Sequence, residues 1–403
     1  MTAAPQLRQR IGLPLLTAYG VGVMIGAGIY VLVGAVAAEA GGLAWIAFLV
    51  AGLVALPSAL SFAELAARVP EAGGAAAYMR AAFGSPALAM LVGLAIVVAG
   101  TISAAAVLRG GVGYLTGIVP IDPALAILIL GALLTCIAIW GVVESLAFAA
   151  ILTAIEVLGL MMVIAAGLLA PPVVETLAAP NAGDVPGILP GILAAATLAF
   201  FAFIGFEDVV NLAEETRDPQ RNVPRAVVIA LVLVSLIYAA VVFAATRAVA
   251  PADLAESARP LALVWQAWAG SPAIFLSAIA VAAALNGVLA QVVMAARVLF
   301  GLGRHGGPFA PFHRAHPRLG TPVLASLLVG AAMIAAALLL PVAELAEVSA
   351  TTLLVVFVLV NAALLRIKRR DPAPAAFQVP GVVPALGLVV SLAALAAAFG
   401  VAP

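Results

Sequence analysis

The sequence predicts an all-α protein that crosses a membrane about eleven times, since apolar stretches of spanning length recur along the whole chain. Of its 403 residues, 66% are hydrophobic and only 9% are charged, and the mean hydropathy is +1.25. Soluble globular proteins carry about 25% charged residues. The composition therefore indicates a polytopic membrane protein.

The candidate spans are apolar stretches of about 20 residues, the length that a helix needs to cross the hydrocarbon core. The eighth stretch is too long for one crossing, so we expect its crossing part near 272–300 and its first part on the outer surface. The stretches are 12–38, 43–67, 86–108, 122–142, 146–170, 190–213, 224–248, 261–300, 321–341, 343–365 and 381–401.

The distribution of positive charge predicts a cytoplasmic N-terminus. Cytoplasmic loops of membrane proteins carry an excess of Lys and Arg. With this orientation, only Arg109, Arg247 and Arg259 of the 18 Lys and Arg residues fall on the outer side. We therefore expect a multi-pass protein of the inner, cytoplasmic membrane, with its C-terminus outside.

The composition also excludes several kinds of chemistry. The formal net charge is zero, which gives no general attraction to nucleic acid, and one cysteine cannot form an internal disulfide. The sequence lacks the phosphate-binding GxxxxGK[ST] pattern, so it does not indicate an ATPase. His305, His313 and His316 share one inner loop, where solvated loop residues are a simpler interpretation than a metal site. We expect no cofactor, no metal and no enzymatic activity.

The first span contains the glycine-rich stretch 22–30. Glycine weakens a helix and lets another backbone or a ligand come close. An interrupted helix at membrane depth is tolerated only where it is buried in protein or lines a cavity. The stretch therefore predicts a broken first helix that forms half of a binding site.

The sixth span shows a second interruption. It runs apolar to Gly205 and then meets Glu207 and Asp208 while still at membrane depth, where acidic side chains are expensive. A break near Ile204 and Gly205 would lower this cost, because both acids would then open a new half-helix at its positive end. The alternative is that the span simply ends near residue 204.

Broken helices in the first and sixth spans predict a 5+5 inverted repeat within a single transporter domain, 1–403. Helices 1–5 would occupy 12–170, helices 6–10 would occupy 190–365, and an additional helix 11 would follow at 381–401. Paired interruptions of this kind indicate a transporter's substrate site. Half-helix N-termini bind a carboxylate and freed carbonyls bind an ammonium, so an amino acid or related amine is the expected substrate.

Three motifs resemble those of the amino acid–polyamine–organocation (APC) permeases. They are Gly22-Val-Met-Ile-Gly26-Ala-Gly28-Ile-Tyr30, the segment from Ala63-Glu64-Leu65-Ala66 to Tyr78, and Phe200-Phe201-Ala202-Phe203-Ile204-Gly205-Phe206-Glu207 with the loop that follows to Pro224. The resemblance implies a LeuT-type fold that works by alternating access. It also implies a substrate site at the two breaks, built by Ile25, Gly26, Ala27, Gly28, Phe201, Ala202, Ile204 and Gly205.

Glu156 is the candidate coupling residue. It lies in the fifth span, roughly 15 Å from the inner end of that span by the rise of a helix. We favour a role in carrying a proton, and the alternatives are sodium binding or a structural tie between helices. Proton-coupled members of the family that the chain resembles usually carry Lys at the matching position, so the coupling mechanism stays open.

Four further residues are candidates for a gate or pocket. Phe203 and Phe206 flank the second break, Glu207 follows it, and Asn286 is a polar residue deep in the eighth span. For the two phenylalanines the alternative is packing or contact with lipid, and for Asn286 it is a helix–helix hydrogen bond.

We therefore predict a proton-coupled secondary transporter for amino acids or related amines, acting as a monomer or weak homodimer in the bilayer. The alternative is an exchanger or a sodium-coupled carrier of the same fold, that is, antiport or sodium symport. A transporter-like sensor or a membrane enzyme is less favoured.

Overall fold

The computed structural model describes residues 11–69, 74–140, 146–173, 185–303, 307–371, 373 and 375–398, and α-helices make up most of them. We number the helices along the chain as follows: α1 Leu13–Ala40, α2 Ala44–Arg68, α3 Gly74–Phe83, α4 Pro86–Leu115, α5 Pro123–Trp140, α6 Leu146–Leu169, α7 Val185–Phe200, α8 Pro219–Ala248, α9 Pro251–Glu256, α10 Pro260–Ala269, α11 Ile274–Gly303, α12 Val323–Leu339, α13 Val342–Arg370 and α14 Val382–Ala398. Segments of 3₁₀-helix cover Phe201–Phe203, Phe206–Glu215 and Gly307–Phe312.

The helices confirm that the chain is a multi-pass membrane protein. Within the described residues, 8 helical stretches are long and apolar enough to cross a membrane, and three shorter apolar helices accompany them. Helices lie at each predicted span. The long eighth stretch divides as expected into a short helix, α10, and a spanning helix, α11, because Gly270 adopts a left-handed conformation between them.

Large apolar side chains cover the outside of the bundle, and many of the residues inside it are small. Leu339, Trp140 and Leu53 are exposed by 79%, 74% and 67% of their surface. Soluble proteins rarely expose apolar surface so widely, so these faces are suited to contact with lipid tails. Many of the buried positions are alanines, which lets neighbouring helix backbones approach closely.

α1 lies at the centre of the bundle, where it contacts α6, α7, α8, α9 and α11. Around it, the most extensive contacts join α4 to α11 and α2 to α8. The middle of α1 and the end of α7 are thus enclosed by protein, whereas the start of α7 exposes Leu189 and Leu193.

Arginine side chains bind the ends of neighbouring helices. Arg247 donates hydrogen bonds of 2.8 Å to the carbonyl oxygens of Gly167 and Ala170 at the end of α6. Arg109 binds the carbonyl of Ala337 near the end of α12. Since the last carbonyls of a helix have no partner within it, these cations stabilise the helix ends.

A buried ion cluster ties α2, α13 and the segment before α14. Glu64 is fully buried, and its carboxylate lies 2.9 Å from the Arg68 guanidinium and 2.8 Å from the Lys368 ammonium. The same carboxylate accepts a 2.9 Å hydrogen bond from the backbone N–H of Val379. Two cations and an N–H group surround the carboxylate, which offsets the free-energy penalty of burying its charge.

Replacing Gly167 with Ala should destabilise the bundle, because a Cβ atom there would lie 2.5 Å from the backbone oxygen of Ala244. Forcing α6 and α8 apart should lower the free energy of unfolding by about 1–3 kcal/mol. Thermal unfolding in detergent measures the effect. Gly301→Ala is the matched control, since no atom lies within 4 Å of a Cβ there. Equal unfolding midpoints for the two variants would contradict close packing of α6 and α8.

Candidate functional site

The sixth span is interrupted at Ile204 and Gly205, as predicted. α7 passes into the short 3₁₀ segment Phe201–Phe203, and Ile204 then turns to an extended ψ of 131°. Gly205 follows with a φ of 124°, which L side chains rarely adopt, and the 3₁₀ segment Phe206–Glu215 starts beyond it. The alternative that the span simply ends near residue 204 is wrong, because helical structure continues.

Glu207 satisfies the backbone at this break. Its carboxylate accepts a 3.0 Å hydrogen bond from the N–H group of Gly205. Glu207 and Asp208 both lie in the first turn of the new helical segment, at its positive end. Both acids thus lie where the helix dipole favours negative charge, as expected. The Glu207 side chain turns towards the backbone of Gly205.

The first helix, in contrast, is not broken, and the prediction of a break there is wrong. α1 runs without interruption from Leu13 to Ala40. Its glycines permit close contact instead of ending the helix: a Cβ atom on Gly28 would lie 2.6 Å from the Cα atom of Ala202. The helix keeps its own hydrogen bonds, which is the favoured state at membrane depth.

The break also contacts α1 directly. A Cβ atom on Gly205 would lie 2.6 Å from the Val23 side chain and 3.3 Å from the backbone nitrogen of Met24. The glycine-rich stretch and the second break therefore face each other, as expected, although only one of the two helices is interrupted.

Tyr238 of α8 links the two segments, and the sequence reading missed it. Its hydroxyl lies 2.6 Å from the carbonyl oxygen of Met24 and 3.1 Å from that of Ala202, so its single proton is shared between these two acceptors. The side chain is fully buried, and its ring packs edge-on against Phe203 at 5.4 Å. A tyrosine in the middle of an apolar span is a usable signal, because a buried hydroxyl usually finds a partner.

A narrow cavity lies between α1, α4, α11 and the break. In this conformation it holds no more than water-sized molecules, so entry of a larger ligand requires the surrounding helices to move. It is lined by Val23, Met24, Gly28, Ser103, Val107, Phe201, Ile204, Gly287 and Gln291.

Two amide side chains of α11 have buried oxygen atoms without hydrogen-bond partners among the described residues. They are the Oε1 atom of Gln291, which lines the cavity, and the Oδ1 atom of Asn286, next to Gly287 of the lining. Buried polar groups are usually satisfied, so an unpaired oxygen beside a cavity suggests a ligand or water that completes it.

The other predicted site residues occupy mixed positions. Ile25 and Ala202 are buried and do not line the cavity. The side-chain surroundings of Gly26 and Ala27 lie outside the described part of the structure, although both residues belong to α1. Their roles stay predictions.

The two predicted gate aromatics, Phe203 and Phe206, are fully buried away from the cavity lining. Phe206 packs against Phe62 and Phe357, with ring centroids 5.9 and 5.1 Å away. Phe201 is the aromatic residue that faces the cavity. Of the aromatic residues at the break, it is therefore the best placed to contact a ligand.

Glu156 lies on α6 close to the same region. It is 2% exposed, and its backbone carbonyl accepts a 3.3 Å hydrogen bond from the hydroxyl of Tyr30 in α1. Glu156 is thus adjacent to α1.

The histidines predicted to share an inner loop make ordinary loop contacts where the structure describes them. His313 lies 3.1 Å from the carbonyl of Phe300, and His316 accepts from the N–H groups of Arg318 and Leu319, both at 3.3 Å. His305 lies outside the described residues. The residues that the structure describes contain no group of three or more possible metal ligands.

The segment before α1 pairs with the end of the interrupted helix. The N–H of Ile11 donates to the carbonyl of Glu215 at 3.1 Å, and the N–H of Arg217 donates to the carbonyl of Ile11 at 2.9 Å. These bonds form an isolated parallel bridge between Ile11 and Thr216. The start of α1 and the end of the interrupted helix are therefore joined by backbone contacts.

A multi-pass helical bundle with a closed central cavity beside an interrupted helix agrees with the architecture of many membrane transporters. The chain belongs to the amino acid permease family, whose model matches residues 11–403. This confirms the resemblance to the APC permeases seen in the motifs. The family is one of transport proteins, so the chain is not an enzyme.

Similar proteins carry names that specify amino acids. A vacuolar cationic amino acid transporter 4 of Arabidopsis thaliana is 32% identical over 91% of this chain and 64% of its own length. A branched-chain amino acid permease of Bacillus subtilis is 29% identical over 96% of this chain and 87% of its own length. A cationic amino acid transporter 4 of Mus musculus is 32% identical over 89% of this chain and 60% of its own length. The chain therefore spans less than two thirds of some of its relatives.

Replacing Tyr238 with Phe should loosen the break. The variant loses the hydroxyl that binds the carbonyls of Met24 and Ala202, which should cost about 1–2 kcal/mol of stability. Hydrogen–deuterium exchange should rise in peptides that cover Met24 and the break.

Tyr114→Phe is the matched control for this variant. It removes another buried hydroxyl, which donates to the carbonyl of Tyr30 at 2.9 Å and accepts from the N–H of Leu261 at 3.3 Å. The control should lose similar stability without faster exchange at residues 200–206. The same rise in exchange there in both variants would contradict a specific role for Tyr238.

Proposed function

We propose that the chain is a secondary active transporter that moves amino acids or related amines across the cytoplasmic membrane by alternating access. The observation that carries this proposal is the interruption at Ile204 and Gly205, which faces Gly28 and a central cavity in a member of the amino acid permease family. Interrupted helices of this kind form the substrate sites of many secondary transporters.

The packing supports an inverted repeat of five helices, with 12–170 and 190–365 as its halves and α14 as an addition. In such a repeat, α1, α2, α4 and α5 correspond to α7, α8, α11 and α12. Each of these four helices contacts its counterpart, as helices close to a two-fold axis in the membrane plane would do. The short helix α3 follows α2, and the short helices α9 and α10 follow α8, so the connections also correspond.

The cavity favours a substrate with a neutral, aliphatic side chain. Val23, Met24, Val107 and Ile204 give it an apolar lining, whereas Glu207 hydrogen-bonds to the backbone of Gly205. Backbone groups at the break and the amide of Gln291 would bind the charged head of the amino acid. The name of the Bacillus subtilis relative, a branched-chain amino acid permease, agrees with this choice.

A cationic amino acid is the second candidate. The Arabidopsis thaliana and Mus musculus relatives are named as cationic amino acid transporters. Asp208 is only partly buried and could turn towards a cationic side chain.

Glu156 is the proposed coupling residue, and a proton is the proposed coupling ion, with sodium and exchange as alternatives. Its burial next to Tyr30 of α1 would let its protonation state respond to movement of that helix. We further propose a cytoplasmic N-terminus, an outer C-terminus and a monomer or weak homodimer in the inner membrane.

Counterflow in proteoliposomes tests the transport proposal. Vesicles loaded with unlabelled leucine should accumulate labelled leucine from outside. Vesicles loaded with unlabelled arginine should accumulate much less labelled arginine. Gly28→Leu should reduce counterflow to the level of empty vesicles, because its side chain would fill the contact with Ala202. Stronger counterflow with arginine would favour the cationic candidate. If no amino acid or amine gives counterflow, the proposed function is wrong.

Glu156→Gln should separate coupling from binding. Gln imitates a protonated carboxyl group, so uptake driven by a pH gradient should fall at least about tenfold while counterflow persists. Glu344→Gln is the control, since Glu344 is exposed at the start of α13. Gradient-driven uptake at the wild-type level in Glu156→Gln would rule out the proton role.

A further inference from the structure

A second pocket, which shares no lining residue with the central cavity, lies where α3, the end of α13 and α14 meet. Its charged side is formed by Arg366, Arg369 and Arg370, in the last turns of α13. Its other side is apolar and includes Phe83, Leu365 and Leu388. The transport mechanism uses none of these residues.

The end of α3 holds two of these arginines in place. The Nε atom of Arg366 donates a 2.9 Å hydrogen bond to the carbonyl of Ala82, and Arg370 donates a 3.3 Å bond to the same oxygen. The Arg366 guanidinium also lies over the Phe83 ring, 5.3 Å from its centroid. These contacts use few of the five N–H groups on each guanidinium, so most remain available.

No carboxylate among the described residues forms a salt bridge with the three arginines. The neighbouring Asp371 instead accepts a hydrogen bond from the N–H of Ala373 at 3.1 Å. Three adjacent cations repel one another, and an anion bound between them would relieve this repulsion. Guanidinium groups bind phosphate oxygens in bidentate geometry, which makes a phosphate group a well-matched anion.

The apolar side of the pocket indicates which kind of molecule would carry the phosphate group. Leu365 and Leu388 are half-buried on helices long or apolar enough to lie in the membrane, and they lie next to the charged helix end. A free phosphate ion or an acidic peptide would leave these side chains without a partner. A phospholipid would place its phosphate among the arginines and its acyl chains along Leu365 and Leu388.

We propose that this pocket binds an anionic phospholipid, with Arg369 and Arg370 holding the phosphate and Leu388 contacting an acyl chain. Basic pockets between membrane helices are suited to such head groups. The bound lipid would join α3 and α14 to the end of α13, three elements that otherwise meet around open space.

Native mass spectrometry of the delipidated full-length protein, titrated with phosphatidylglycerol or phosphatidylcholine, tests the proposal. The Arg369→Gln/Arg370→Gln double variant should bind phosphatidylglycerol about thirtyfold more weakly, from about 1 kcal/mol for each of the two charges near a lipid head group. Arg314→Gln/Arg318→Gln is the matched control, because both arginines are exposed in the inner loop and the charge change is the same. The control should bind like the wild type.

A second pocket variant and a competition measurement complete the test. Leu388→Trp should weaken phosphatidylglycerol binding without any charge change, which also covers the case in which the double variant fails to fold. Inorganic phosphate or a polyglutamate peptide at millimolar concentration should not displace the lipid. Equal affinity of wild type and both pocket variants, no preference over phosphatidylcholine, or displacement by either competitor would overturn the proposal.

Discussion

The whole site depends on one requirement: backbone polar groups at membrane depth must find partners inside the protein. The interruption at Ile204 and Gly205 creates groups that no helix satisfies. Glu207 pairs with the N–H of Gly205, and Tyr238 donates to carbonyls on both sides of the contact. The hydroxyl of Tyr238 thereby joins α8, α1 and the break at a single point. The irregular backbone can persist because its neighbours replace the bonds that a helix would have made.

Small residues determine how close the helices come, and thus where the cavity can lie. Gly28 brings α1 against the backbone of Ala202, and Gly167 brings α6 against that of α8. In lipid, helix association relies on such close packing and on buried hydrogen bonds, since no water is released. The cavity remains where amide side chains such as Gln291 interrupt this packing. The glycines thus set the spacing of the helices, and the polar atoms lie at the cavity that this spacing leaves.

The sequence was sufficient for the spans and for the second break, but not for the state of the first helix. Span positions follow from long apolar runs, and Glu207 and Asp208 signal the break because burying two charges demands a helix N-terminus. Glycine carries no such electrostatic signal. Gly28 is equally compatible with a break and with close packing, and the partner, Ala202, decides between them. The role of Tyr238 likewise depends on partners that only the fold reveals, since its acceptors lie up to 214 residues away in the sequence.

The backbone pairing of Ile11 with Thr216 has a mechanical consequence. It joins the start of α1 to the end of the interrupted helix through two hydrogen bonds. Both residues are buried, so breaking the pair would leave backbone groups without partners away from water. The start of α1 and the end of the interrupted helix are therefore coupled, and a displacement of one favours a displacement of the other.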